Sequence, residues 1–255
     1  MDAEELMLSI IHCDEVANKF VHPETKSPCS DIIKSQRCSN ERFHVPEPWN
    51  GDLAQAPLLF IGSNPSINEG ELFPVSSWND KESIIFFTNR FDGRWVQNFR
   101  TRLVDGGFPE KGSRFWFSAR MRASEILGLK KEQIIPGKHY AITEVVHCKS
   151  VSEIGVKEAQ HPCSEKFLKK ILEVSSAKIV VIFGDHAREG VNAVLEDEGM
   201  VSTTKALLGP MKLFGKERVF LFMPHPSRWG WPKSVKKNLT PEELQKLENW
   251  VVSQN

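Results

Sequence analysis

The sequence predicts an α/β protein, a three-layer α/β/α sandwich with a central four-stranded parallel sheet. Four short, predominantly apolar runs, residues 58–61, 140–146, 179–184 and 219–224, carry the first half of that reading. They are too short for helices and apolar on both faces, as strands buried in a parallel sheet must be. Helical patterns between them, at 163–175 and 185–196, carry the second half. Strands alternating with helices fold into a sheet covered on both sides. With 255 residues the chain can bury one large core. A single domain over 1–255 is therefore expected, with an N-terminal helix and cysteine-bearing segment at 1–52, a core at 53–235 and a C-terminal helix at 240–253.

In chain order, Leu6, Ile10, Ile11 and Val16 space an amphipathic helix over residues 3–20, with Cys13 as a core thiol. Residues 21–52 are rich in Pro, Ser, Asn and charge and contain Cys29 and Cys38. A loop of that length needs something to order it. The first strand runs into Gly62-Ser63-Asn64-Pro65-Ser66. Ligands of open parallel sheets bind beyond the carboxyl ends of the strands, so Asn64 stands at a position suited to chemistry; a plain turn is the alternative reading. Residues 67–80 are irregular and lead to Ile84-Ile85-Phe86-Phe87. Helical spacing is expected at Trp95, Val96, Phe99 and Leu103, and again from Met121 to Leu127. In the helix over 163–175, Phe167, Leu168, Ile171 and Leu172 face inward. The fourth strand exits into Pro224-His225-Pro226-Ser227-Arg228-Trp229-Gly230-Trp231-Pro232, which fixes His225 between two prolines. Thr240-Pro241-Glu242-Glu243 caps the last helix, with proline at its first position and acids in its first turn.

Lys plus Arg and Asp plus Glu both total 33, so no global field advertises nucleic acid and any such contact must be local. Lys111, Arg114, Arg120 and Arg122 surround Phe115-Trp116-Phe117, and Lys233, Lys236 and Lys237 follow the last strand. Basic residues interleaved with aromatics suit a phosphate backbone and a splayed base. No run approaches the roughly 18 apolar residues of a membrane span, and the acidic Met1-Asp2-Ala3-Glu4-Glu5 is unlike a signal peptide. A cytoplasmic protein is expected, with no obligate protein partner. Five cysteines, an odd number, do not read as a disulfide framework in a reducing compartment.

Gly62-Ser63-Asn64-Pro65-Ser66 together with His225-Pro226-Ser227 resembles the two signature motifs of the uracil-DNA glycosylase superfamily. The first is most similar to the Gly-x-Asn-Pro-Gly form of its mismatch-specific branch, and the likeness covers roughly residues 29 to 235. A third stretch, Thr143-Glu144-Val145-Val146-His147-Cys148 followed after fourteen residues by Cys163, resembles the Thr-Asn-Val-Val-Lys-Cys segment of the iron–sulfur branch. That likeness implies four ligands, Cys29, Cys38, Cys148 and Cys163, for a [4Fe-4S] cluster, with zinc as the alternative. Eight residues separate Cys29 from Cys38, where the branch has two or three.

The resemblance implies hydrolysis of the N-glycosidic bond of a flipped-out nucleotide in DNA. Asn64 would orient the water and His225 would donate to O2 of the departing pyrimidine. Ser63, Glu144 and Phe73 would meet the base, Phe73 by stacking. Ser66, Ser227, Arg228 and Lys233 would hold the DNA, and Trp229 or Trp231 would wedge into the vacated stack. Glu144 replaces the Asn that reads uracil in the iron–sulfur branch. An ionised carboxylate only accepts hydrogen bonds, so it suits the exocyclic amine of cytosine; a protonated one could still donate to O4 of uracil. The expected substrate is a 5-substituted cytosine, hydroxymethylated or glucosylated as in phage DNA, because removing ordinary cytosine would destroy the host genome. Uracil repair is the runner-up. A DNA- or base-binding protein without turnover, and an unrelated iron–sulfur or zinc protein, are the readings from other classes.

Overall fold

The computed structural model describes residues 1–36, 42–68, 70–200, 204–230 and 233–254. In order it contains α1 (Ala3–Ile11), α2 (Asp14–Val21), α3 (Ser30–Ser35), β1 (Trp49–Asn50), β2 (Leu58–Gly62), α4 (Asp80–Thr88), β3 (Val96–Gln97), β4 (Arg100–Thr101), α5 (Arg114–Leu127), β5 (Tyr140–Glu144), α6 (Val156–Cys163), α7 (Lys169–Val174), β6 (Ile179–Phe183), α8 (Asp185–Asp197), β7 (Leu207–Leu213), β8 (Lys216–Met223), α9 (Val235–Asn238) and α10 (Pro241–Ser253). Among the described residues, no helix is long and apolar enough to cross a membrane.

The four apolar runs are the parallel strands β5, β2, β6 and β8, adjacent in that order. Alternate residues of each strand serve opposite layers. Leu59, Ile61, Val180, Ile182, Phe220 and Phe222 pack with Leu6, Ile10, Phe86, Ile171, Leu172 and Val191, whereas Leu58, Phe60, Ile142, Val181, Phe183 and Leu221 pack with Ala119, Ala123, Ile126, Val235 and Leu247. Both faces are thus covered, which explains why the strands carry so few polar residues.

The sheet has six strands rather than the expected four, because β1 and β7 add an antiparallel strand at each edge. β1 is two residues long. β7 contains Gly209 and Pro210 and a register shift between Leu208 and Met211, tolerable only at an edge. The helical spacing at Trp95–Leu103 is overturned as well. Asn98 and Phe99 take φ of 48° and 62°, turning the chain into the β3–β4 hairpin. The helix expected over 3–20 is two helices broken at His12–Cys13, and the one over 163–175 begins as a π-turn at Ser164–Leu168, just after Pro162.

In this strand order the connections leave β2 toward one edge and β6 toward the other, so the switch point lies between them. A crevice opens there, at the carboxyl ends of the parallel strands.

Candidate active site

The loops leaving β2, β5, β6 and β8 meet over that crevice. Val145 and Val146 N–H donate to the carbonyls of Gly62 and Ser63 at 3.0 and 2.9 Å, and Ser150 N–H donates to Pro65 at 3.2 Å. The Gly-Ser-Asn-Pro-Ser loop is therefore laced to the loop after β5. Gly184, at the end of β6, donates to Met223 at 2.9 Å. Its φ is +89°, and a Cβ there would stand 3.2 Å from Cβ of His225, so this glycine lets the His225 loop close down on β6.

These loops enclose a cavity of about 670 Å³ lined by Asn64, His225, Glu144, Ser63, Ser66 and Ser227 among others. That volume falls within the roughly 300–1,000 Å³ of small-molecule sites. Asn64 donates through Nδ2 to Oγ of Ser150 and to the carbonyl of Pro65, both at 3.0 Å. Oδ1 accepts from Oγ of Ser63 at 3.5 Å and, with two lone pairs, can also accept from a water. Ser227 N–H donates to Nδ1 of His225 at 3.3 Å. Burial lowers the His225 pKa, with Glu153 opposing. A neutral imidazole that accepts at Nδ1 carries its proton on Nε2, where it serves as a donor.

Gly62 and Glu144 are register partners on β2 and β5, and a Cβ on Gly62 would fall 2.0 Å from Oε2 of Glu144. The glycine makes room for this carboxyl at the cavity floor. Glu144 is buried and its Oε2 has no hydrogen-bond partner. Burial first, and then the nearby Glu47, push its pKa well above the ordinary carboxylate value. Both effects favour the protonated form, whereas the cytosine reading of the sequence took an ionised carboxylate.

The expected stacking residue is displaced. Phe73 does not line the cavity; it is buried edge-on against Phe86 and Phe87, with centroids 5.5 and 5.6 Å away. Its face supports the Lys149 ammonium, 3.9 Å from the ring centroid. The short strap after Asn68 turns inward, where Leu72 N–H bonds to the Arg102 carbonyl, and carries Phe73 into the core. Phe99, Phe115 and Trp116 line the cavity instead, Phe115 tilted 33° to His225 at 6.1 Å.

Of the basic cluster, Lys111 and Arg114 reach the cavity wall. Arg122 is buried and ion-paired with Glu125, and Arg120 donates to the Lys131 carbonyl at 2.7 Å. Ser227 is exposed at the cavity edge, and beyond it Arg228, Lys233, Lys236 and Lys237 are exposed, with Trp229 93% exposed. Arg228 pairs with Asp185 at 3.0 Å. Trp231 and Cys38 lie outside the described residues. Sequence reasoning missed Ser150 and Lys149, whose side chains lie on a loop without periodicity; Ser150 shares the anchoring of Asn64 with the Pro65 carbonyl.

The family model of the uracil DNA glycosylase superfamily matches residues 48–250. The chain belongs to that superfamily. A search of curated proteins found no match. Members of the superfamily are DNA glycosylases, hydrolases that act on DNA, and the cavity at the strand ends holds the two residues that the superfamily motifs put forward, Asn64 and His225.

The cysteines lie elsewhere, on the α3 and α6 side. Cys29 and Cys148 are buried and Cys163 partly so. Burial pushes the Cys29 thiol up to about 12, and raises Cys148 and Cys163 as well. Among the described residues, no three ligating side chains gather around a point that would hold a single metal ion.

Proposed function

We propose that this chain is a monofunctional DNA glycosylase whose favoured substrate is a flipped-out 5-substituted cytosine, hydroxymethylated or glucosylated as in phage DNA, which would make it an anti-phage defence enzyme. The observation that carries the reading is one cavity holding Asn64, His225 and a buried Glu144 whose Oε2 has no hydrogen-bond partner and whose raised pKa favours the protonated form.

In this mechanism Oδ1 of Asn64 accepts from the attacking water and aims it at C1′. Nε2–H of His225 donates to O2 of the base, a bond that strengthens as charge develops there. Glu144 distinguishes the bases. Uracil can leave as an anion spread over two carbonyl oxygens, whereas cytosine has only one and leaves more readily if N3 is protonated. Protonated Glu144 donates to N3 and accepts from the N4 amine. As the C1′–N1 bond breaks, its electron pair goes to N1 and the Glu144 proton passes to N3, so the base departs neutral. Water adds to C1′, its proton passes to solvent, and Glu144 is reprotonated from solvent. Small side chains at Ser63, Ser66, Ser150 and Ser152 line the cavity beside Asn64 and leave space for a substituent. The exposed Trp229 fits the role of wedge in the vacated stack.

Uracil repair is the second reading, favoured by the same protonation, since the acid can also donate to O4 and accept from N3–H. A [4Fe-4S] cluster on a thiol set that includes Cys29, Cys148 and Cys163 would take no part in hydrolysis; it would tie the N-terminal segment to the core. The test is competition between oligonucleotides containing uracil, cytosine, 5-hydroxymethylcytosine and glucosylated cytosine, scored by abasic-site formation and repeated with Glu144→Asn. Preference for the modified cytosines by about 10- to 100-fold, lost in the variant, is expected. Preference for uracil that the substitution leaves unchanged would return the enzyme to repair.

A further inference from the structure

Among the described residues, the fold brings Cys13 to three of the thiols implied by the resemblance, Cys29, Cys148 and Cys163. Cys13 immediately precedes α2, at the break between α1 and α2. Local bonds draw its surroundings onto those of the other cysteines. Asp14 forms an ion pair with Lys166, three residues beyond Cys163. Glu15 accepts from Oγ of Ser27 at 2.8 Å, and that same oxygen accepts from Cys29 N–H at 3.2 Å. Gln36, just past α3, donates to the carbonyl of Lys149 at 3.1 Å, next to Cys148. Cys163 receives a backbone hydrogen bond from His147, the residue before Cys148. All four cysteines, Cys13, Cys29, Cys148 and Cys163, pack in one core cluster, each of the last three is electrostatically coupled to Cys13, and all are free.

α3 carries the chain away from Cys29 over six residues, about 9 Å. A zinc ion would draw its thiolates to about 2.3 Å from one point, and these four are not so gathered. A polynuclear cluster holds its ligands farther apart around a larger body. The break at His12–Cys13 is then explained, since it sets Cys13 at a helix junction beside the other thiols.

We propose that Cys13, Cys29, Cys148 and Cys163 are the four thiolate ligands of one iron–sulfur cluster, with Cys13 taking the place that the resemblance implies for Cys38. This rests on the cluster proposed above and not on the excised base. The full chain would be purified anaerobically as native protein, Cys13→Ser and Cys38→Ser, and each assayed for iron, acid-labile sulfide and electron paramagnetic resonance. About four irons per chain are expected in the native protein and in Cys38→Ser, while Cys13→Ser should lose at least about half of its iron or convert to a form with a different resonance signal. A full cluster in Cys13→Ser, its loss in Cys38→Ser, or no iron in the native protein would overturn the assignment.

As a readout that does not depend on the folding of Cys13→Ser, the native protein supplies the second measurement, alkylation followed by mass spectrometry with and without prior oxidative removal of the cluster into chelator. Cys13 should react only after removal. Cys13 reacting equally in both would overturn the proposal. Base release measured on the same samples separates failure of the ligand set from failure of the glycosylase reading.

Discussion

Glu71 and Glu144 border the same cavity, both buried, yet their surroundings shift their pKa values in opposite directions. Glu71 accepts from Arg90 at 2.6 Å and from Lys149 at 2.7 Å. Burial alone would raise its pKa, but these two cations outweigh that effect and hold it below the ordinary value. At Glu144 burial acts first and the nearby Glu47 adds to it, so its pKa is raised. Two acids in one wall therefore differ: Glu71 bridges two buried cations, and Glu144 is biased toward its neutral form. Sequence type says nothing of this difference; partners decide it.

The largest expected effect tests the first half of that contrast. Glu71→Ala leaves Arg90 and Lys149 buried without their anion and should destabilise the fold by about 3–5 kcal/mol, read as a lower urea midpoint. An unchanged midpoint would mean that the pair is not the wall's support. Somewhat smaller are the losses in catalysis. Asn64→Ala and His225→Ala should each slow single-turnover base release by about 100- to 1000-fold with the urea midpoint nearly unchanged; near-normal release would remove the assigned role.

Glu144→Gln sharpens the contrast through pH. A carboxyl whose pKa is raised on folding binds its proton more tightly in the native state, so its contribution is fully present below the unfolded value near 4.5 and is lost as pH rises toward the folded value. Glu71 has the opposite sign, stabilising above the unfolded value and losing that contribution as pH falls through its lowered pKa. Stability of Glu144→Gln relative to native should therefore rise with pH above about 4.5, measured by urea unfolding across a pH series. A flat difference would show that Glu144 is not held protonated. The smallest effect on the fold belongs to Trp229→Ala, within about 0.5 kcal/mol because the ring is exposed. Its affinity for duplex DNA containing the target base should nonetheless fall, and unchanged affinity would exclude the wedge.

Much of this architecture is legible in the chain. Strands buried on both faces must be apolar throughout, so 58–61, 140–146, 179–184 and 219–224 declare themselves locally, as does the capped helix that begins at Pro241. Asn64 and His225 are equally legible because prolines and strand ends place them, whatever happens elsewhere. The hairpin at 96–101 was not, since the helical spacing from Trp95 to Leu103 is outweighed by two residues in left-handed conformation.

What the sequence by itself determined is thus the set of elements whose environment follows from their own residues: the parallel strands, the helices that alternate with them, and the two loops that present Asn64 and His225. Tertiary structure alone decided the rest. Phe73 went to the core and Phe115 to the cavity because a strap turned inward; the Glu144 pKa rose because burial and Glu47 act together on it; and Cys13 joined Cys29, Cys148 and Cys163 because Asp14 and Glu15 are bonded to distant segments. The physical reason is common to all three: burial, partners and proximity between residues far apart in the chain are properties of the packed molecule, and no local pattern encodes them.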